Sequence, residues 1–173
     1  MLKVKRVITG ELEENCYILE KDGSSIIIDP GSDFEKIKKE IKLPLLAVLI
    51  THRHPDHIGA LEDVLNTYRC QLFDYFSTTE DNYKLDGFDF SVVRTRGHTS
   101  DSVSYYFYND KVMFTGDFLF KQSIGRTDLG GSDDDMNRSL HKIRKFPKEI
   151  KIYPGHGDDT TLEKELEENP YLC

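Results

Sequence analysis

Long apolar runs, tryptophan, paired cysteines and an excess of positive charge are all missing from this sequence of 173 residues. Its longest apolar runs are about six residues, whereas a membrane-spanning helix needs roughly 20. Charged residues interrupt the apolar ones throughout residues 1–17, so no signal-peptide core is present. We therefore expect no membrane association and a cytoplasmic location.

The charge balance argues against another class of partner. The sequence contains 31 acidic and 23 basic residues, which gives a formal net charge of −8. General binding to a nucleic-acid backbone relies on clustered Lys and Arg, so no nucleic-acid partner is expected. Bound divalent metals would offset part of the negative charge. The three cysteines, Cys16, Cys70 and Cys173, show no close pairing and are interpreted as free thiols.

Stretches rich in Val, Ile, Tyr and Phe, bounded by Gly, Pro, Asp or Asn, predict nine strands. They are Val4–Ile8, Cys16–Leu19, Ser25–Ile28, Leu45–Ile50, Cys70–Tyr75, Phe88–Arg94, Ser102–Tyr108, Val112–Phe114 and Ile150–Tyr153. The sequence has no repeat, low-complexity stretch or linker, so we expect one domain over residues 1–173. The predicted fold class is α+β, with two sheets packed face to face and helices outside them.

Four helices are predicted from apolar residues at helical spacing and from capping patterns. The patterns are Ser32 with Glu35, the stripe Ile58, Leu61 and Leu65, Ser132 with Asp135, and Thr160 with Glu163. We expect the second helix to run from Ile58 to Tyr68.

Metal-capable side chains recur just after predicted strands, each behind a short polar or glycine-containing turn. They are His52, His98, Asp117 and His156. Strand ends that share one rim of a sheet would bring these side chains together, and rigid elements hold ligands more accurately than free loops. The pattern therefore predicts one composite site.

The densest part of that site is the segment 51–57. His52 and His54 are two residues apart, so on an extended backbone both side chains point to one side. Asp56 and His57 follow at the expected start of the second helix. The segment thus offers a histidine pair and an Asp-His pair, each able to face a different metal.

Three later residues could complete both sites, with His98 joining the first, His156 the second and Asp117 bridging the two ions. Imidazole and carboxylate ligands suit zinc, and also iron or manganese. A lone histidine near a strand end is usually an ordinary surface or core residue, but four metal-capable residues within six positions argue against that interpretation here. His141, on the third predicted helix, is expected to be a solvated surface residue.

These motifs resemble those of the metallo-β-lactamase superfamily. The matching elements are His-x-His-x-Asp-His at 52–57, Gly-His-Thr at 97–99, Thr-Gly-Asp at 115–117 and Pro-Gly-His at 154–156. The resemblance covers essentially the whole chain and implies a four-layer αββα sandwich with the site at one edge of two mixed sheets. It also implies His52, His54 and His98 on one metal, Asp56, His57 and His156 on the other, and Asp117 shared.

Within that superfamily the chain is most similar to small glyoxalase II-like hydrolases, through residues 14–17, 28–31, 123–128 and 153–157. Asp29, in the second segment, is expected either to support the metal site or to start a turn. True glyoxalase II enzymes carry a helical C-terminal region that helps to bind glutathione, whereas only residues 160–173 follow this site. The resemblance therefore implies a small-molecule thioester, ester or lactone, with glutathione specificity left open.

The expected chemistry is hydrolysis by a hydroxide activated between two divalent ions, with zinc preferred over iron or manganese. Asp56 and Asp117 are the expected catalytic residues. Arg126 is a candidate contact for a substrate carboxylate, or else a structural partner of Asp128. An iron-dependent persulfide dioxygenase and a non-enzymatic metal-binding protein stay open as alternatives. A nuclease and a secreted β-lactamase are disfavoured by the acidic composition and by the lack of an export signal.

Overall fold

The computed structural model describes residues 1–173 as thirteen strands and five helices. The strands are β1 Lys3–Thr9, β2 Glu14–Lys21, β3 Ser24–Ile28, β4 Leu45–Leu49, β5 Gln71–Phe73, β6 Asn82–Leu85, β7 Phe88–Arg94, β8 Val103–Phe107, β9 Val112–Gly116, β10 Leu119–Phe120, β11 Ser123–Ile124, β12 Lys151–Pro154 and β13 Thr160–Thr161. The helices are α1 Phe34–Glu40, α2 Pro55–Ile58, α3 Leu61–Tyr68, α4 Asp133–Ile143 and α5 Leu162–Glu168. No helix is both long and apolar enough to cross a membrane.

Both main sheets are mixed. The first has the order β1-β2-β3-β4-β5, with antiparallel pairs up to β3 and parallel pairs from β3 to β5. The second has the order β13-β12-β9-β8-β7-β6 and is antiparallel except where β9 runs parallel to β12. A small ribbon of β10 and β11 stands beside the second sheet.

Three apolar clusters divide the molecule into four layers. The central cluster joins the inner faces of the two sheets, and residues such as Tyr17, Phe90 and Tyr105 meet there. Successive side chains of a strand point to opposite faces, so the residues between them, such as Ile18, face α1 and α3 on the outer side of the first sheet. Met113 and residues of α4 and α5 form the third cluster, outside the second sheet. This confirms the expected αββα sandwich.

All nine predicted strands are present, with ends that differ by at most two residues. Sequence patterns missed β6, β10, β11 and β13. These strands have only two to four residues, and each lies at a sheet edge or in the small ribbon. Such short, partly exposed strands form because a neighbouring strand supplies their hydrogen bonds, so they carry little signal of their own.

Helix starts were predicted with mixed success. Ser132 caps α4 by accepting a hydrogen bond from the Asp135 amide, as expected. The predicted capping box before α1 is wrong, because Asp33 precedes the helix with a left-handed backbone and makes no side-chain cap. Its carboxylate instead accepts a hydrogen bond from the Gly10 amide. The last helix is capped by Thr161, one residue later than expected.

The predicted helix 58–68 is interrupted at Gly59 and Ala60, which separate α2 from α3. The Ala60 amide donates to the carbonyl of Pro30 and so does not continue the helical ladder. A Cβ placed on Gly59 would lie 2.2 Å from the Gly31 carbonyl oxygen, so the 29–31 turn packs directly against the break. As a result, α2 is a separate turn of helix that holds Asp56 and His57.

Candidate metal centre

The ends of several strands meet at one edge of the sandwich. Asp117 directly follows β9, and His156 follows β12 two residues after its end. These two strands are parallel, so both residues leave the second sheet at the same edge. His98 leaves there as well, because β7 runs in the same direction as β9, two strands away. His52 follows β4 of the first sheet, across the sandwich.

Seven predicted ligands form two groups, within each of which the donor atoms lie within 4.8 Å of one another. One group is His52, His54 and His98, and the other is Asp56, His57, Asp117 and His156. The Asp117 carboxylate lies between the groups. Its Oδ2 is 3.5 Å from the His98 Nε2 and 3.8 Å from the His52 Nε2, while Oδ1 is 3.2 Å from the His57 Nε2.

The centre of this arrangement contains polar atoms without partners. His52 Nε2, His57 Nε2 and Asp117 Oδ1 are fully buried and make no hydrogen bond. Each such atom costs about 1–3 kcal/mol when left unsatisfied in a protein interior. Atoms of this chemistry, converging within a few ångströms, fit a divalent cation, which accepts nitrogen and carboxylate ligands together.

The far nitrogen of most of these imidazoles is held by a neighbour. His57 Nδ1 donates to Asp29 at 2.9 Å, and His52 Nδ1 lies 3.0 Å from the Thr51 hydroxyl. His98 Nδ1 contacts the backbone carbonyl of Arg126, and His156 Nδ1 contacts the backbone carbonyl of Leu12. Such contacts fix the ring orientation and leave the Nε2 lone pair toward the cluster.

Burial and neighbouring charges set the protonation of the cluster. Burial, with the adjacent His57, lowers the pKa of His52 well below its usual value, which keeps that ring neutral. Burial would also raise the pKa of Asp117, but the nearby His156 and His57 imidazoles outweigh it and lower the pKa. Against the cost of burial, bonds to Asp117 and Asp56 raise the pKa of His156 to about 10. A bound cation would displace such protons.

Asp29 contacts residues of this centre, which agrees with one of the two roles expected for it. Its carboxylate accepts hydrogen bonds from the Thr51 amide at 2.7 Å, the Thr51 hydroxyl at 2.5 Å and His57 Nδ1. The backbone of Asp29 is also left-handed, with φ 51, so the residue shapes a turn as well. One carboxylate therefore contacts both halves of the cluster, directly at His57 and through Thr51 at His52.

Glu14 is a buried acid that the sequence analysis did not single out. One of its oxygens accepts a hydrogen bond from the Thr9 hydroxyl at 2.8 Å. The other lies 3.6 Å from His57 Nδ1 and has no hydrogen-bond partner. Burial is the main reason that its pKa rises to about 9. An acid at the start of an otherwise buried apolar strand was the signal that could have identified it.

Two glycines are required by the close packing of the ligands. A Cβ on Gly155 would lie 2.3 Å from Asp117 Oδ1 and 2.7 Å from the His57 ring. Gly116 has φ +53, and its Cβ would lie 2.4 Å from the Thr51 hydroxyl. Any side chain at these positions would displace a ligand or a residue that orients one.

The other residues considered in the sequence lie around the cluster. Arg126 makes a two-pronged ion pair with Asp128, at 2.6 and 2.7 Å, and both side chains are exposed. Arg53 points away from the ligands and pairs with Asp74. His141 is exposed on α4, as expected. The three cysteines make no disulfide.

Comparison with known proteins gives a consistent picture. Residues 9–75 and 72–156 match the family model described as the metallo-beta-lactamase superfamily. The chain is 32% identical to the probable metallo-hydrolase M6_Spy0554 of Streptococcus pyogenes over 212 aligned positions, covering 99% of this chain and 91% of the relative. It is 28% identical to the hydroxyacylglutathione hydrolase GloC of Haemophilus influenzae, covering 99% of this chain and 98% of that protein.

Solved structures agree with the fold. The BLEG-1 B3 metallo-beta-lactamase superposes with a TM-score of 0.93 at 35% identity, over 98% of this chain and 99% of the other. TTHA1623, in a di-iron-bound form, gives 0.88 at 30% identity, over 98% and 100%. ETHE1 from Myxococcus xanthus gives 0.87 at 26% identity, over 97% and 83%.

Proposed function

The chain belongs to the metallo-beta-lactamase superfamily, and we propose that it is a two-metal hydrolase that cleaves thioesters. The observation that carries the proposal is the seven-residue cluster, with Asp117 between its two halves and three buried donor atoms that lack partners. Its proposed ligand sets are those expected from the sequence, with Asp117 in both. Zinc is the preferred ion; TTHA1623 was crystallised with two irons, so iron is a realistic alternative.

Two divalent ions held by these residues would supply Lewis acidity at the substrate carbonyl and would lower the pKa of a bound water molecule. The protein residues then orient the reaction. In the proposal, Asp117 holds both halves of the site at a fixed spacing. Asp56, whose Oδ2 lies 3.1 Å from His156 Nε2, keeps its second oxygen to accept a hydrogen bond from the attacking water. Asp29 and Thr51 keep the His57 and His52 rings in place.

A thioester fits the acid–base groups of the site. A thiolate leaves without help from a strong acid, because the pKa of its conjugate acid is only ~8.5. The buried carboxyl group of Glu14, whose pKa is high, lies on the Nδ1 side of His57 and faces away from the cluster, so it cannot reach a leaving group there. Similarity to a hydroxyacylglutathione hydrolase over nearly its whole length supports the same substrate class.

Arg126 remains the proposed contact for the rest of the substrate. It lines a cleft of about 550 Å³ together with Gly125, Asn137 and Tyr171. This cleft lies beside the ligands, because a Cβ on Gly125 would be 3.1 Å from the His98 ring. A substrate carboxylate would have to replace Asp128 at the guanidinium, so Arg126→Ala should raise KM more than it lowers kcat.

The test is a substrate panel with the metal-loaded protein. We expect turnover of S-lactoylglutathione or a simpler acyl thioester, loss of turnover after chelation, and recovery when zinc or iron is restored. His98→Ala should abolish activity, while the matched surface variant His141→Ala should retain it. Thioester hydrolysis by a sample shown to be metal-free would refute the mechanism.

Two other activities belong in the same panel, one from the name of a similar protein and one from the sequence motifs. The similarity to the BLEG-1 metallo-beta-lactamase is a reason to test hydrolysis of β-lactams, which also requires attack on a carbonyl group. The dioxygenase alternative left open by the sequence is tested by oxygen uptake with glutathione persulfide. If only a β-lactam is turned over, or if oxygen is consumed without hydrolysis, the thioesterase proposal is wrong.

A further inference from the structure

A pocket of about 220 Å³ lies between the end of β7 and one face of α4, and its lining contains no apolar residue. We call it the cationic pocket; its lining is Arg94, Arg96, Asp135, Arg138, Ser139 and Lys142. The four helical members are spaced three, one and three residues apart, so they share one face of α4. Neither the proposed metal ligands nor the Arg126 cleft uses any of the four cations.

The charge of the pocket opposes that of the protein. Although the chain carries a net charge of −8, four cations here face two carboxylates. Asp135 is shared between Arg96 and Arg138, and Glu80, just outside the lining, pairs with Lys142 at 2.6 Å. The pocket therefore has an excess of two positive charges, and Arg94 is the one cation in its lining that makes no ion pair with a carboxylate.

Arg94, which makes no ion pair, is held in a fixed position. Its guanidinium donates to the carbonyls of Tyr75 and Thr78 and lies 3.9 Å from the centre of the Tyr75 ring. Those contacts hold the group but do not neutralise it, and they leave several of its five N–H donors free. Because the side chain is already ordered, a ligand loses less entropy on binding than it would against a mobile arginine.

The other cations remain accessible. The side chains of Arg96, Arg138 and Lys142 are 45%, 72% and 39% exposed. Guanidinium groups arranged around a small polar pocket match the oxygens of a tetrahedral oxyanion, which can accept forked hydrogen bonds from more than one arginine. The volume suits one phosphate group and a little of its carrier, and is far too small for a nucleic-acid backbone.

We propose that the cationic pocket binds a phosphate group. The source is either free phosphate or a phosphate carried by the thiol half of the substrate. The second source rests on the proposed function and fits the chain geometry: Arg96 is two residues from His98, so their Cα atoms are at most about 7 Å apart. A long phosphorylated thiol bound at the metal centre could therefore reach the pocket.

Calorimetric titration of the metal-loaded protein with inorganic phosphate tests the site without using activity. We expect binding that weakens at least tenfold in the double variant Arg96→Ala, Arg138→Ala. The matched control is Arg144→Ala, an exposed cation directly after α4 that does not line the pocket. Absence of binding by the parent protein, or binding that the double variant retains, would overturn the proposal; retained binding would assign the phosphate to the metals.

A second measurement distinguishes the two sources. Hydrolysis of an acyl-coenzyme A is compared with that of the same acyl group on pantetheine, which lacks the phosphates. A lower KM for the coenzyme A thioester, lost in the double variant but kept in Arg144→Ala, identifies the substrate as the source. Equal KM values, together with phosphate binding in the titration, identify free phosphate. If neither thioester is turned over, a coenzyme A-type thiol is excluded as the source, and the titration still decides whether the pocket binds free phosphate.

Discussion

Replacing Asp29 with asparagine removes one negative charge behind the metal centre and keeps the shape of the side chain. Asparagine tolerates the left-handed backbone at this position, so the turn itself should survive. The amide can still accept the Thr51 N–H bond with its oxygen. Its nitrogen cannot accept the proton of His57 Nδ1. That ring must either lose the hydrogen bond or move its proton to Nε2, where it would block a metal.

The expected loss follows from these contacts. Removing the group that orients a metal-binding histidine typically weakens metal affinity about 10–100-fold. That range corresponds to about 1.4–2.7 kcal/mol, at roughly 1.36 kcal/mol per tenfold change. We expect the full effect in the half of the site that contains His57. The half that contains His52 should change less, because Asp29 reaches it only through the Thr51 hydroxyl.

The assay is competition for zinc with a chromophoric chelator, with metal content measured in parallel on the same samples. Asp29→Asn should release one of two ions at a chelator concentration that leaves the parent protein loaded. Thr51→Val should give the opposite pattern, with the larger loss at the His52 half. Asp86→Asn is the matched control, since Asp86 also has a positive φ but is exposed and makes no side-chain hydrogen bond. If Asp29→Asn bound both ions within twofold of the parent, the proposed role of Asp29 would be wrong.

Three further predictions concern other parts of the site. Asp117→Ala should lower both the rate and the metal content, and two ions per chain in that variant would contradict the shared role of Asp117. Gly155→Ala should lower the rate about 100-fold, because displacement of a ligand by about 1 Å is that costly. Gly157→Ala strains a backbone with φ +78 but its added Cβ meets open space, so it controls for backbone strain without a clash and should keep most of the rate. Burial would raise the pKa of Asp74, but bonds from Arg53 and Ser77 outweigh it and lower the pKa. Its stabilisation is therefore present above its unfolded pKa, about 4, and is lost as the pH falls through the lower folded pKa. In urea unfolding the stability gap between the parent and Asp74→Asn should close only in that acidic range, and a gap independent of pH would refute the assignment.

The proposed ligands could be identified from local sequence. His52, His98, Asp117 and His156 follow strands whose composition predicts them. The spacing of the other three within residues 54–57 is a property of a few consecutive residues. Strand direction then requires that the ends of β7, β9 and β12 share an edge. The fold class followed in the same way, since strands buried on both faces need helices outside both sheets.

Other features depend on contacts between distant segments, which no local pattern encodes. The break between α2 and α3 exists because the 29–31 turn packs against Gly59. The same turn brings Asp29 to His57, 28 residues away, so its supporting role could be suspected but not decided beforehand. The capping box predicted at Ser32 does not form, because Asp33 precedes the helix in its place. The Asp33 carboxylate does not cap the helix either, since it accepts a hydrogen bond from the distant Gly10 amide.

The cationic pocket also depends on tertiary structure rather than on local sequence. Arg94 and Arg96 read as ordinary strand-end residues, and Arg138 and Lys142 as the solvated face of an amphipathic helix. Only the packing of α4 against the end of β7 places the four charges together, because electrostatic interactions depend on distance in space rather than along the chain. Local sequence thus determined which residues can bind a metal, while the tertiary structure decided which neighbours orient them and where an unmatched positive charge collects.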